Sequence, residues 1–437
     1  MNLFDWTLRF QGYDIAFAKA ELARIQAIPE SDYNAHLQQQ KAAIIAHHKT
    51  HNPLYQKLLQ QTDLADWNVL PVLTKKDLQQ PLENRLSEGY KRKSVYVNKT
   101  SGSSGHPFVF AKDKVSHALT WAVIQDRFGW YGIDFNRSCQ ARFYGIPKDV
   151  IGYRKERLKD WLSHRYRFPI FNLNDTQLEG IVKQFTKKKF EYINGYTSSI
   201  VLLAKYLKRK GIVLNALCPT LRLCVVTSEM LFDDDKQVLE TYLGVPVINE
   251  YGASELDLIA FQNEEGNFQL NSETLYVEIL DEQNMPVPHG EEGRIVITSL
   301  YNKAHPFIRY DIGDMGVIDP SSTPKKPILK KLIGRTNDIA HLPSGKIIPG
   351  LTFYYVTKSV IEEDGNVQEF VIVQTAATSF TIKYTAQKAF TIAEITKIER
   401  ALATYLEPGL DLTFEHLVVL DRSNRGKLKQ FIGLPNT

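Results

Sequence analysis

The sequence predicts an α/β protein: a large N-terminal domain of mainly parallel sheets flanked by helices over residues 1–337, then a small α+β domain over residues 338–437. Three observations carry this. Leu221 to Thr227 is a nearly continuous apolar run, the texture of a strand buried on both faces. It lies between two helical patterns, Ser199 to Lys210 and Asp233 to Leu243, and strands alternating with helices build a parallel sheet. Beyond Asp338 the texture changes to strands around a single helix. A chain of 437 residues with 43% hydrophobic content can bury more than one core.

In chain order, Phe17 to Ile28 and Tyr33 to His47 are alanine-rich and free of glycine, so both read as helices, and His51 to Leu59 continues into a proline-punctuated loop. Pro71 to Leu78 reads as a short strand ending in a helix capped by Thr74. Ser94 to Lys99 and Phe108 to Lys112 read as strands. Between Arg137 and Arg167 basic residues outnumber acidic ones, and Leu158, Trp161 and Leu162 recur at helical spacing, which predicts a basic amphipathic helix. Val245 to Ile248 reads as a strand running into a glycine turn, and Gly293 to Ser299 as another strand. In the small domain, strands are expected near Val367 to Thr375, Phe380 to Thr385 and Leu412 to Leu420, with a helix from Ala393 to Tyr405.

Composition narrows the function classes. The formal net charge of +4 is small for this length, which argues against a nucleic-acid binder. No run approaches the roughly 18 apolar residues of a membrane span, and Met1 to Asp5 lacks an export signal. The basic stretch is compatible with peripheral contact to an anionic surface or an acidic carrier protein. Cys139, Cys218 and Cys224 have neither metal-ligand spacing nor an even count, so a reducing cytoplasm is expected.

Five clusters carry chemistry. Thr100, Ser101, Gly102, Ser103, Ser104 and Gly105 form a hydroxyl-rich, glycine-punctuated loop between two strands, suited to a phosphate because its amides and hydroxyls converge without bulk. Neither the Walker spacing nor a dinucleotide fingerprint is present. Asn249, Glu250, Tyr251, Gly252, Ala253, Ser254 and Glu255 follow an apolar strand, and functional groups of parallel sheets gather at strand carboxyl ends. The segment is not a nucleophile elbow, since Leu256 replaces the second glycine. Arg309 to Asp314 places two carboxylates around Gly313, fit for vicinal hydroxyls or simply a charged turn. The fourth cluster is Gly334-Arg335 with Asp338, and the fifth is the basic loop Asp421 to Lys429.

In this order the clusters resemble the adenylate-forming superfamily of acyl-CoA synthetases, adenylation domains and luciferases, specifically its phenylacetate-CoA ligase and CapK-like branch. The resemblance runs from about Asn52 to Lys429. It implies that Thr100 to Gly105 lies over the β- and γ-phosphates of ATP, that Asn249 to Gly252 lines adenine and the α-phosphate, that Ser254 sits near the phosphate and that Glu255 holds Mg²⁺. It further implies ribose contact by Asp314, Arg335 beside the nucleotide, Ser228 and Glu229 near the adenylate, and Asp338 as the hinge of a mobile C-terminal domain. Lys427 is then the catalytic lysine. Tyr144, Gly145 and Tyr196, with Phe143 and Asn194, are candidates for the acyl pocket. His106 stands where many relatives have lysine, and Leu256 to Val277 holds neither Cys nor His, so no zinc is expected. The implied reaction joins a small carboxylic acid, aryl or arylacetic by preference, to coenzyme A or to a carrier-protein phosphopantetheine. The alternatives are transfer to an amine or hydroxyl, a nucleotidyl transferase like the coenzyme F390 synthetases, and a binding protein that retains the fold.

Overall fold

A strand that is apolar on both faces needs a helical layer on each side. In a computed structural model the chain meets that demand with a seven-stranded sheet. The structure describes residues 3–59, 66–100, 108–144, 157–170, 173–335, 339–345, 347–349, 357, 367–422 and 428–434.

The strands are β1 (Tyr96–Lys99), β2 (Val109–Lys112), β3 (Gln140–Phe143), β4 (Arg165–Phe168), β5 (Tyr192–Tyr196), β6 (Leu223–Thr227), β7 (Val247–Ala253), β8 (Asp257–Gln262) and β9 (Phe268–Leu270). β1 and β2 pair as an antiparallel hairpin. The large sheet runs β4-β3-β5-β6-β7-β8-β9; its first five strands are parallel, and β8 and β9 fold back antiparallel.

Register places Phe143, Gly195, Val226 and Asn249 in one row across the sheet, and Tyr196, Thr227 and Glu250 in the next. Successive rows face opposite sides. On one face Phe143, Ile193, Cys224 and Val226 join side chains of the helices Asp175–Phe185, Thr197–Lys210 and Asp233–Leu243 in a core. On the other, Tyr192, Leu223, Val225 and Ile248 pack with the helices Leu3–Phe10, Ile15–Gln26 and Lys114–Gly129. Gly195 is dictated by this packing, because a Cβ there would stand 2.4 Å from the Phe143 carbonyl oxygen.

A second sheet has the order of β10 (Leu275–Leu280), β11 (Glu292–Ser299), β12 (Tyr310–Ile318) and β13 (Leu329–Arg335). By contacts the chain divides into two units, 1–312 with 316–331, and 313–315 with 332–437. The second unit contains the hairpin β14 (Ile339–His341) and β15 (Ile347–Pro349). It also contains a sheet of β16 (Val367–Gln374), β17 (Ser379–Ala386), β18 (Asp411–His416) and β19 (Phe431–Ile432), in the order β18-β17-β16-β19. The helix Ile392–Tyr405, opened by a reciprocal Thr391/Glu394 cap, lays Ile398 and Leu402 on that sheet.

Two local expectations are corrected. Pro71 to Leu78 forms neither a strand nor a helix: Leu73 makes a single bridge to Tyr310, and Asp77 Oδ2 accepts from the Thr74 amide at 2.7 Å and from its hydroxyl at 2.6 Å, closing a turn. In the basic stretch after Arg137, the helix expected around Leu158, Trp161 and Leu162 is present over 157–162, with Leu158 and Trp161 exposed to solvent, and β3 and β4 supply the strands among the described residues of the stretch. Finally, Gly252 does not end its strand; β7 continues through it to Ala253.

Candidate active site

The carboxyl ends of β3, β5, β6 and β7 lie side by side by virtue of the parallel register. Tyr144 follows β3, Tyr196 ends β5, Thr227 ends β6, and Glu250 to Ala253 close β7. Tyr144 and Tyr196 meet with ring centroids 4.7 Å apart, and the Thr227 hydroxyl donates to Glu250 Oε1 at 2.9 Å. Burial pushes the Glu250 carboxyl above the usual carboxylate range, against the hydrogen bond from Thr227 and the charge of Arg142.

Beyond β6 the chain turns through Ser228, exposed and with φ of +71°. Glu229 then turns inward, its Oε2 accepting the Ser198 amide at 2.7 Å at the start of the helix Thr197–Lys210. Its charge thereby satisfies an end amide of that helix.

Glu255 lies in the turn between β7 and β8 and is buried. Its Oε1 accepts from the Tyr310 hydroxyl at 3.1 Å. The turn is tight: a Cβ on Gly252 would stand 2.6 Å from the Asp257 carbonyl oxygen, and Asp257 has φ of +58°. Asp257 is held by the Lys112 ammonium and by the Thr120 hydroxyl, which donates at 2.8 Å. Lys112 is itself buried at the end of β2. Burial pushes its ammonium down to about 7, against the pull of the Glu255 carboxylate. β2 thus returns from the Gly/Ser loop to an ion pair two residues beyond Glu255.

At the mouth of that loop Thr100 is a staple as well as a donor: its amide donates to the Phe108 carbonyl at 2.9 Å, and its hydroxyl accepts from the Phe108 amide at 3.0 Å. Asn249 and Ser254 are partly buried, and Tyr251 is buried. Asp314 is buried on β12, and Arg335 is placed by its backbone at the end of β13. Ser101, Gly102, Ser103, Ser104, Gly105, Gly145, Asp338 and Lys427 lie outside the described residues.

Periodicity did not single out Lys112, Thr120, Asp257 or Tyr310. The available signal was position, since Lys112 ends the strand after the loop and Tyr310 belongs to the Arg309 to Asp314 cluster.

No family model matches the chain. Among curated proteins it is similar to the protein CapK of Staphylococcus aureus, 24% identical over 315 residues, which is 66% of this chain and 65% of that one. It is also similar to a phenylacetate-coenzyme A ligase of Pseudomonas putida, 26% identical over 178 residues, 38% of this chain and 40% of that one. The matched segments therefore span less than two thirds of either relative. Among solved structures, a 2-hydroxyisobutyryl-CoA ligase in the postadenylation state, in complex with R3-HIB-AMP, superposes with a TM-score of 0.71 over 95% of this chain and 92% of that one, at 16% identity. The chain shares the fold of that CoA ligase. The turn holding Glu255 and the carboxyl ends of β3, β5, β6 and β7 all belong to the first unit.

Proposed function

We propose that the protein activates a carboxylic acid as its acyl-AMP with ATP and Mg²⁺, then transfers the acyl group to a thiol. Coenzyme A is the assigned acceptor, with carrier-protein phosphopantetheine as the second, and an aryl or arylacetic acid is the assigned substrate class. The observation that carries the reading is the buried Glu255 carboxylate beside the carboxyl edge of the parallel sheet, fixed by Tyr310 and flanked by the Lys112–Asp257 pair. The names of the relatives, a phenylacetate-coenzyme A ligase and a CoA ligase in complex with an acyl-AMP, support the same class.

In the first step a carboxylate oxygen attacks the α-phosphorus, the new P–O bond forms, and pyrophosphate leaves with the electrons of the α–β bridge. Two anions approach one another, so the site must neutralise growing charge. Glu255 fits a magnesium contact, being a hard oxygen donor with one oxygen engaged by Tyr310, and a bound Mg²⁺ supplies charge neutralisation on the phosphates. Thr100 and the loop through Gly105 hold the outer phosphates, Asn249 to Gly252 with Ser254 hold adenine and the α-phosphate, and Ser228 and Glu229 face the adenylate. In the same proposal, residues 1–337 and 338–437 act as two domains. Asp314 holds the ribose, Arg335 stands beside the nucleotide, Asp338 is the hinge, and Lys427 supplies positive charge for the first step. In the second step the thiol sulfur attacks the acyl carbon and AMP leaves.

The test is Lys427→Ala, assayed separately for acyl-AMP formation and for thiol transfer from supplied acyl-AMP. Loss of the first on the order of 10²–10³ with survival of the second is the expected result. Equal loss of both steps removes the role given to Lys427. A panel of acids, each with and without coenzyme A, identifies the substrate by pyrophosphate release.

A further inference from the structure

Arg142 is not used by the chemistry above. It lies on β3, two residues before Tyr144, and its register partners are Asn194 on β5 and Arg167 on β4. By strand alternation it faces the side of the sheet that Thr227 and Glu250 face, while Tyr144 and Tyr196, at the strand ends, pack with the core of the other side. The guanidinium carbon stands 4.4 Å from the centre of the Tyr144 ring, which in turn packs against Tyr196. The side chain is half-buried, and its Nε is shut off from solvent with no hydrogen-bond acceptor.

Among the described residues no carboxylate comes within ion-pair distance of Arg142. Its neighbours Arg165 and Arg167 both turn to Asp160, at 2.6 and 3.1 Å. Glu250 is the acid on the same face, but β3 and β7 are three strand spacings apart, about 14 Å at the backbone. Its Oε1 is taken by Thr227, and burial favours its neutral form. A guanidinium that gives up water without gaining a carboxylate costs stability. The wall is correspondingly polar: Asn194 is buried between Gln140 and the Val225 carbonyl, at 3.4 and 3.2 Å.

We propose that Arg142, with Tyr144 and Asn194 beside it, is an anion subsite that recognises a second carboxylate, or an equivalent anionic oxygen group, on the acid that the enzyme activates. This rests on the ligase reading and narrows it: the substrate is a diacid, in which one carboxylate reacts at the phosphate side and the other pairs with Arg142. The planar fork of arginine suits a carboxylate in two parallel hydrogen bonds, and the Tyr144 ring beneath it fixes the plane. The subsite would give the pocket a sign preference that its aromatic residues alone do not confer.

The experiment compares matched acids on the full-length protein: phenylacetate against 4-carboxyphenylacetate, and butyrate against glutarate. Calorimetric binding and acid-dependent ATP–pyrophosphate exchange are measured in parallel for the unsubstituted protein, Arg142→Met and Arg142→Lys. In at least one pair the diacid should be favoured by about tenfold to a hundredfold, the range of a charge-assisted hydrogen bond. Arg142→Met should bring that ratio to about one, and Arg142→Lys should keep part of it. Equal treatment of both members of each pair by the unsubstituted protein overturns the proposal. So does loss of both members in equal proportion on Arg142→Met. Should that variant fail to fold, the unsubstituted protein and Arg142→Lys still decide the matter. Diacid binding that depends on Arg142 without exchange supports the subsite while removing the ligase reading; exchange with monoacids alone does the reverse.

Discussion

Acidification from about pH 7.5 to about pH 5.5 should cost the first unit about 4 kcal/mol of stability through three buried histidines. Each uses a ring nitrogen as an acceptor, which requires the neutral ring. His48 Nδ1 accepts from the Ser87 hydroxyl at 3.2 Å while Nε2 donates to the Asn302 carbonyl at 3.0 Å. His117 Nε2 accepts from the Trp121 indole at 3.3 Å, and His305 Nε2 accepts from Arg85 at 2.5 Å. Burial, the largest cause in each, holds His48 and His117 down to about 3, and holds His305 well below its ordinary value. The unfolded chain takes up a proton on each near pH 6.5 and the folded chain does not, so this stability is present above about 6.5 and is lost as pH falls toward 3. At about pH 5.5 each histidine accounts for about 1.4 kcal/mol. The half-exposed His36 and His47 shift in the same direction and add to the loss. The assay is urea unfolding by tryptophan fluorescence, because all five tryptophans, Trp6, Trp67, Trp121, Trp130 and Trp161, lie in this unit. His48→Gln and His117→Phe should each remove about a third of the three-histidine loss. A loss below about 1 kcal/mol over this interval would refute the neutral-histidine argument.

Three further outcomes are expected. Gly252→Ala drives a methyl against the Asp257 carbonyl and should destabilise by about 1–3 kcal/mol, read as a lowered melting temperature; an unchanged melt contradicts the tight turn. Lys112→Met strands the Asp257 carboxylate and should cost about 3–5 kcal/mol, whereas Lys112→Met with Asp257→Asn should recover most of it; a double-mutant cycle with no coupling contradicts the pair. Glu255→Gln should slow acyl-AMP formation by about 10²–10³ and leave the melt within about 1 kcal/mol of the parent; unaltered formation removes Glu255 from the chemistry.

What the sequence revealed follows from which forces are local. Leu223–Thr227 was legible because burial on both faces writes itself into consecutive apolar residues. The helix holding Leu158, Trp161 and Leu162 was legible in its spacing, and the arginines of β4 after it alternate with aromatics in the period of a strand. The site's contacts were hidden. Tyr310 reaches Glu255 across 55 residues and Lys112 reaches Asp257 across 145, and no local pattern encodes a partner at such separation. The motif carrying Glu255 was visible; what holds it was not.

The holding groups share a conformational signature. Ser228, Asp257 and Arg309 have φ of +71°, +58° and +44°, in the left-handed region that non-glycine residues avoid. Ser228 leads into the Glu229 contact with the helix, and Asp257 carries the ion pair behind Glu255. Arg309, fully buried, donates to the carbonyls of Asn68 at 2.7 Å, Leu70 at 2.9 Å and Asn284 at 2.9 Å. It directly precedes Tyr310, whose hydroxyl meets Glu255. Strain of about 1–3 kcal/mol per residue persists only where neighbouring contacts over-determine the backbone, and here Asp257 and Arg309 stand beside Glu255 in the chain and beside its partner Tyr310, respectively. Glycine at these positions would relieve the backbone and forfeit the side chains, so the positive angles are retained because Asp257 and Arg309 are needed where they stand. That is the pattern expected of a site whose geometry is constrained more tightly than folding alone requires.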